Sequence, residues 1–202
     1  DALKGQISNQ IGDLPASDSY EEWIRFYGLG RKVDPEITLS KLAALNLVLK
    51  TIIYNTTANH YGLERIDEGN VSYLRRLFNQ LYEISKITPL KETLLDNLLE
   101  ENYSLTSLFF KQVNECIGEI KNSKDDVIGR IYEQIVPQEE RRKLGQFWTP
   151  GQISDFMVQW SIRDRNCLFF DPAIGSGIFI LTALQTFLAQ GVQLNAATRQ
   201  VY

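Results

Sequence analysis

Cys167-Leu168-Phe169-Phe170-Asp171-Pro172-Ala173-Ile174-Gly175-Ser176-Gly177-Ile178-Phe179-Ile180 is the stretch whose reading decides the fold. It has the form of a strand, a glycine turn and a helix. Cys167 to Phe170 is a short apolar run rich in aromatics, as expected of a buried parallel strand, and Asp171 stands where that strand ends. Gly175 and Gly177 carry no Cβ, so the backbone there can take positive φ and let a ligand approach the main chain. From Ile178 to Leu188, apolar residues recur at helical spacing (Ile178, Leu181, Leu184, Leu188), so the turn opens into a helix. The first amides of such a helix have no internal partner and attract a polar or anionic ligand.

The same glycines also fit a tight turn with no ligand. A nucleotide P-loop requires Gly-Lys-Ser/Thr after its loop, and a dinucleotide fingerprint wants a third small residue where Ile180 stands; both are disfavoured. A carboxylate beside the turn, in Asp171-Pro172-Ala173-x-Gly175-x-Gly177, suits a ligand with a cationic amine. The methionine end of S-adenosylmethionine answers that description. Upstream lies Gly145-Gln146-Phe147-Trp148-Thr149-Pro150. Here Thr149-Pro150-Gly151-Gln152 predicts a helix with Thr149 at the N-cap, proline first and Gln third, a capping box. The helix is amphipathic through Ile153, Phe156, Met157 and Trp160. An ordinary capped helix accounts for these residues; so does a seat for a carboxylate at a helix N-terminus beside a threonine hydroxyl. In the second reading, Asp171 takes the ammonium and the Thr149 turn the carboxylate of one amino-acid moiety.

The two segments, in this order and about twenty residues apart, resemble motif X and motif I of the N6-adenine DNA methyltransferases, as arranged in type I modification subunits and fused type IIG restriction enzymes. Ile128 to Pro137 and Arg141 to Leu144 resemble the helix and basic linker that lead into motif X. The resemblance covers roughly residues 125 to 190, with Ile174 standing where the family often has a small residue or cysteine. It implies that Gln146, Phe147, Trp148 and Thr149 border the methionine and adenine ends of S-adenosylmethionine, and that Asp171, Ala173, Gly175, Ser176 and Gly177 form the cofactor's floor.

The chain has 202 residues, 44% hydrophobic and 23% charged, which is ordinary globular material for one or two domains. Its formal net charge of -4 and pI of about 5.2 do not announce a nucleic-acid binder, so a DNA role rests on local patches. Cys116 and Cys167 sit in apolar patterns and are expected to be reduced core thiols of a cytoplasmic protein. With one histidine, His60, no His/Cys zinc cluster is expected. No apolar run reaches the ~18 to 20 residues of a membrane span, and there is no signal-peptide pattern. The start at Asp1 rather than methionine suggests an excised or processed piece.

Residues 1–16 read as an arm or linker. A short helix from about Ser19 presents Trp23, Phe26 and Tyr27 before Gly28 and Gly30 break it; its aromatics are core, or a stacking surface for bases. Asp34-Pro35 opens a helix with an apolar face of Ile37, Leu42, Leu45, Leu49, Ile52 and Ile53, ending in the Asn55 to Asn59 stretch. A third starts near Asn70 or Ser72 and is expected to bury Val71, Leu74, Leu77, Phe78, Leu81 and Ile84, leaving Arg75 and Arg76 solvated or on a phosphate. Thr88-Pro89 restarts the pattern through Leu90, Leu94, Leu95 and Leu98. Another helix carries Leu105, Leu108, Phe109, Val113, Cys116, Ile117 and Ile120, and one from Asp125 carries Val127, Ile128, Ile131, Tyr132 and Ile135 up to Pro137. Arg141-Arg142-Lys143 reads as a solvated linker or a phosphate-positioning patch.

The expected fold is therefore mainly α. A helical bundle over residues 1–136 is followed, over 137–202, by the first strand-helix unit of an α/β Rossmann-like S-adenosylmethionine-dependent methyltransferase domain. The resemblance implies methyl transfer to the exocyclic N6 of adenine in double-stranded DNA, with a specificity subunit or a fused nuclease or target-recognition domain as partner. The family's catalytic Asn/Asp-Pro-Pro-Tyr/Phe element has no counterpart, because the sequence contains no Pro-Pro pair. No catalytic residue is nominated, and an N-terminal piece that is inactive and binds cofactor weakly or not at all is expected. The rival reading is a non-enzymatic helical module that docks a specificity subunit or DNA.

Overall fold

The computed structural model describes residues 35–122, 126–135, 138–143 and 149–202. The expected 1–16 arm and the helix from about Ser19 lie outside them. The chain divides into two compact units, Asp1–Ser123 with Gln134–Gly145 and Lys124–Glu133 with Gln146–Tyr202.

The first unit is helical around α1, Pro35–Thr57. Of its expected apolar face, Leu45 and Ile52 are buried and Leu42, Leu49 and Ile53 half-buried, but burial is not confined to that face. Leu39, Ala43, Leu47, Ile52 and Tyr54 are buried, and so are Lys50, Thr51 and Asn55, because neighbours pack on more than one side of it. Buried polar groups must then find partners inside. Asn55 donates to the Ile66 carbonyl and accepts from the Ile66 amide, both at 2.8 Å. Lys50 Nζ donates to Asp96 Oδ2 at 2.7 Å and to the Lys91 carbonyl at 2.8 Å, while Asn46 donates to Asp96 Oδ1 at 3.0 Å. Removing one partner of this pair would strand a buried charge, a cost of about 3–5 kcal/mol. Burial, with a smaller contribution from Tyr73, also raises the Tyr54 phenol above its ordinary pKa.

α2, Val71–Ser85, begins where its N-cap signal lies: Asn70 accepts from the Tyr73 amide at 2.8 Å. Val71, Leu74, Phe78 and Leu81 are buried at helical spacing, whereas Ile84 is exposed; the stripe continues through position 85, one residue on. Arg75 is neither solvated nor free for a phosphate. It pairs with Glu92 and Glu101 and donates to Asn97. The pattern restarting at Thr88-Pro89 resolves into a 3-10 turn, Thr88–Leu90, and a short helix α3, Leu94–Asn97, opened by a Thr93/Asp96 capping box. Leu105 precedes α4, Ser107–Asn122, instead of joining it, and its amide donates to the Gly69 carbonyl at 3.0 Å. α4 turns Phe110, Val113 and Ile117 inward and leaves Leu108 exposed. α5 is Val127–Ile135, with Ile128 exposed, and α6 is Gln138–Lys143. The Arg141-Arg142-Lys143 run, expected as linker, is thus helical.

The second unit holds α5 up to Glu133, together with α7, Gly151–Ser161, α8, Ile178–Ala189, and the short α9, Leu194–Ala197. Its core is Val158, Ile162, Ala183, Phe187 and Ala197, with Cys167, Phe169 and Val201 packed against it. α7 therefore faces the opposite way from the sequence expectation. Ser154 and Val158 are buried, while Ile153, Phe156, Met157 and Trp160 are exposed. The reason is size: α7 packs on α8 where Thr182 and Ala183 are buried, and the small Ser154 and Val158 permit that approach.

The expected strand from Cys167 to Phe170 does not form a ladder. Among the described residues there is no strand; in this segment there is a parallel bridge of Phe169 with Val201, and the first unit holds an antiparallel one of Asn70 with Ser104. Three backbone hydrogen bonds accompany the Phe169 bridge, Phe169 N to Gln200 O, Tyr202 N to Phe169 O and Asp171 N to Tyr202 O. A run this short with one neighbour is not an independently stable sheet. Leu168 and Phe170 are about 70% exposed. Neither Cys116 nor Cys167 is in a disulfide, and both are half-buried rather than fully in the core. Among the described residues no helix is long and apolar enough to cross a membrane.

Candidate functional site

Asp171 follows the Phe169 bridge, and its amide donates to the Tyr202 carbonyl at 2.9 Å. Its Oδ1 accepts from the Ala173 amide at 3.0 Å, a local turn that fixes the carboxylate. The other oxygen, Oδ2, is buried and has no hydrogen-bond partner. A buried acceptor left unpaired costs about 1–3 kcal/mol, more if charged, so the position favours an incoming donor, and a cationic one most.

Beyond Asp171 the chain turns through Gly175 at φ 53° and Gly177 at φ 87°, both left-handed, closed by a 2.7 Å bond from the Gly177 amide to the Ile174 carbonyl. A Cβ on Gly177 would meet nothing within 4 Å, and one on Gly175 only the Ala173 carbonyl at 3.6 Å. Glycine is thus required by backbone angle rather than by crowding from the protein, and the space over Gly177 is open. Gly177 is the N-cap of α8 and no side chain caps that helix. Its first amides remain available to a polar or anionic group.

Ser176, at the tip of the turn, does not point its hydroxyl at open space. The hydroxyl donates to Asp126 Oδ2, while Asp126 Oδ1 accepts from the Gly129 amide at 2.6 Å in the first turn of α5. Asp126 is 6% exposed. The sequence reading missed this residue. An acidic side chain before an apolar helix signals a cap, but nothing local signals a second tie 50 positions downstream.

The capping box expected at Thr149 is absent. The N-cap of α7 is Pro150, at φ −56° and ψ 141°, and its carbonyl accepts from the amides of Ile153 and Ser154. No side chain caps the helix. Because the helix begins at Gly151, Thr149 stands one residue too early to reach the amides that an N-cap side chain serves. Thr149 is half-buried just before the helix. Gln146, Phe147 and Trp148 lie outside the described residues.

The two helix starts are close. Ser154 Oγ and Thr182 Oγ1, both buried, lie 3.4 Å apart. Each stands within about one helical turn of its helix's first residue, at ~1.5 Å per residue, so this contact lies near the starts of both helices. No group of three or more His, Cys, Asp and Glu that could hold a metal is found among the described residues. A shallow hollow lined by Glu68, Asn70, Tyr73 and Ser104 lies in the first unit, and no candidate residue borders it.

Residues 123–201 match a family described as N-6 DNA methylase. Among curated proteins the chain is similar to the type I restriction enzyme MjaIX methylase subunit of Methanocaldococcus jannaschii, 37% identical over 98 residues. That alignment covers 47% of this chain and 17% of the relative. It is also similar to the type II restriction enzyme and methyltransferase RM.BcgI of Heyndrickxia coagulans, 27% identical over 100 residues, or 46% of this chain and 16% of the relative. The matched stretch thus spans about a sixth of each relative's length. No solved structure matches the chain. The resemblance to N6-adenine DNA methyltransferases of restriction-modification systems is borne out by these matches.

Proposed function

We propose, from the match of residues 123–201 to the N-6 DNA methylase family, that this chain is the cofactor-receiving part of a longer DNA adenine-N6 methyltransferase of a restriction-modification system. The observation that carries the reading is Asp171. One carboxylate oxygen is fixed by Ala173 and the other is buried without a partner, at the foot of a glycine turn opening onto an uncapped helix. That arrangement fits the α-ammonium of S-adenosylmethionine, whose chemical contribution when bound is an electrophilic methyl group on a sulfonium.

Asp171, Ala173, Gly175, Ser176 and Gly177 form the floor. The Ser176 hydroxyl is committed to Asp126, so the contribution of Ser176 to the floor is its backbone. Thr149, not consumed in capping α7, is free to meet the ligand's carboxylate from the neighbouring helix start, and Gln146, Phe147 and Trp148 border the methionine and adenine ends. In this reading 1–136 is a helical domain and 137–202 begins the methyltransferase domain. The parallel hydrogen bonds on either side of α8 support taking the segments at 167–171 and 200–202 as neighbouring strands of a Rossmann-like sheet joined by a helical crossover.

The N6 amine of adenine is a poor nucleophile, because its lone pair is delocalised into the ring. Transfer needs acceptors for the amino hydrogens and an aromatic surface for a base flipped out of the duplex. No Pro-Pro-aromatic element occurs in these residues, so they supply the cofactor side of the site. We assign them weak cofactor binding and no methyl transfer in isolation. Double-stranded DNA and a specificity subunit, or a fused nuclease or target-recognition domain, are the proposed partners. The test is incubation of the whole protein with methyl-labelled S-adenosylmethionine and duplex DNA. Label recovered as N6-methyladenine is the expected result; label on cytosine, on RNA or on protein overturns the proposal.

A further inference from the structure

We infer that Asp126 is a positioning residue for the Gly175-Ser176-Gly177 turn, setting affinity for the methyl donor without touching it. The inference rests on the cofactor reading of that turn. Residues 172–176 are exposed, and two of the turn's residues hold left-handed backbone angles. The backbone bond that closes it is the Gly177 amide to the Ile174 carbonyl. A turn so little packed does not hold its amides in one arrangement by itself. Asp126 supplies the missing constraint from a buried position. One oxygen accepts from the Gly129 amide and its backbone carbonyl from the Arg130 amide, which anchors it in the first turn of α5; the other oxygen accepts from the Ser176 hydroxyl. A carboxylate at the start of a helix is favourably placed by the helix's own field, so the anchor is firm and the turn is the part that yields. Ordering the turn before the ligand arrives removes an entropic cost from binding and leaves the chemistry of the bound state unchanged.

The experiment is calorimetric titration of the whole protein with S-adenosylmethionine, comparing wild type with Asp126→Ala, Asp126→Asn, Ser176→Ala and the Asp126→Ala/Ser176→Ala pair. Losing a hydrogen bond to a charged group is expected to weaken binding about tenfold in Asp126→Ala and in Ser176→Ala. The pair should be no more than about twofold worse than either single variant, because both break the same link. Asp126→Asn, which keeps an acceptor for Gly129 and a partner for Ser176, should bind within about threefold of wild type. In turnover Asp126→Ala should raise KM for the cofactor and leave kcat unchanged. A residue that only caps α5 would give a different result: unaltered affinity in Ser176→Ala and additive losses in the pair, and that outcome overturns the inference. Where Asp126→Ala fails to fold, the Ser176→Ala result decides alone. Wild-type protein that does not bind S-adenosylmethionine defeats the cofactor reading instead; the link is then judged by amide exchange at residues 173–177, which should quicken in Ser176→Ala.

Discussion

At Asp171 the requirements of binding and of stability diverge, and that separation can be measured. The buried Oδ2 has no partner in the protein, so it contributes nothing to folding and costs desolvation. Asp171→Asn keeps an oxygen for the Ala173 amide and removes the charge. The expected outcome is about a tenfold or greater loss of affinity for S-adenosylmethionine in the whole protein, the size of a charge-assisted hydrogen bond, with no fall in melting temperature. A lower melting temperature with intact affinity, read by thermal unfolding beside titration, would make Asp171 a structural residue. The glycines flanking this turn were legible in the sequence, because a left-handed φ is a local demand that a local pattern records. Thr149 was misjudged as a cap because Thr-Pro-x-Gln fits a box whose register the Pro150 carbonyl shifts by one residue. Asp126 was invisible, since its partner lies far along the chain.

For whole elements the same division holds between what is local and what needs a neighbour. Helix starts at Pro35, near Asn70 and at Ile178 were read from proline, cap and glycine signals. The inward face of a helix depends on what it packs against, and there the reading failed for α7. Its large apolar residues draw the eye, yet Phe156 and Trp160 are 70% and 67% exposed while Val158 is fully buried. The strand at Cys167 to Phe170 depends on partners altogether, which is why only its Phe169 bridge is present. Urea unfolding of this chain can check the assignment of faces. Phe187→Ala, at a site with no exposure, should destabilise the second unit by about 3–5 kcal/mol. Phe156→Ala and Trp160→Ala should each change it by no more than about 0.5 kcal/mol. The reverse ranking would show that α7 packs through its aromatic face.

Across the molecule the two units differ in how much core each possesses. Among the described residues the buried apolar cluster centred on α1, α2 and the segments around them has fifteen members and the one around α7 and α8 five, so the second unit is expected to open at the lower free energy. That makes it the unit in which ligand linkage is most visible. S-adenosylmethionine at about a hundred times its dissociation constant stabilises whatever binds it by about 2.7 kcal/mol. In native-state hydrogen exchange of the whole protein, that gain should fall on the amides of α7, α8 and the Asp171 to Gly177 turn. Those of α1 and α2 should be unchanged, and Asp171→Asn should abolish the gain. Equal protection of α1 and α2 would mean that both units open together. Protection of α1 and α2 alone would place the ligand in the helical unit, and with it would go the assignment of the glycine turn as the methyl-donor site.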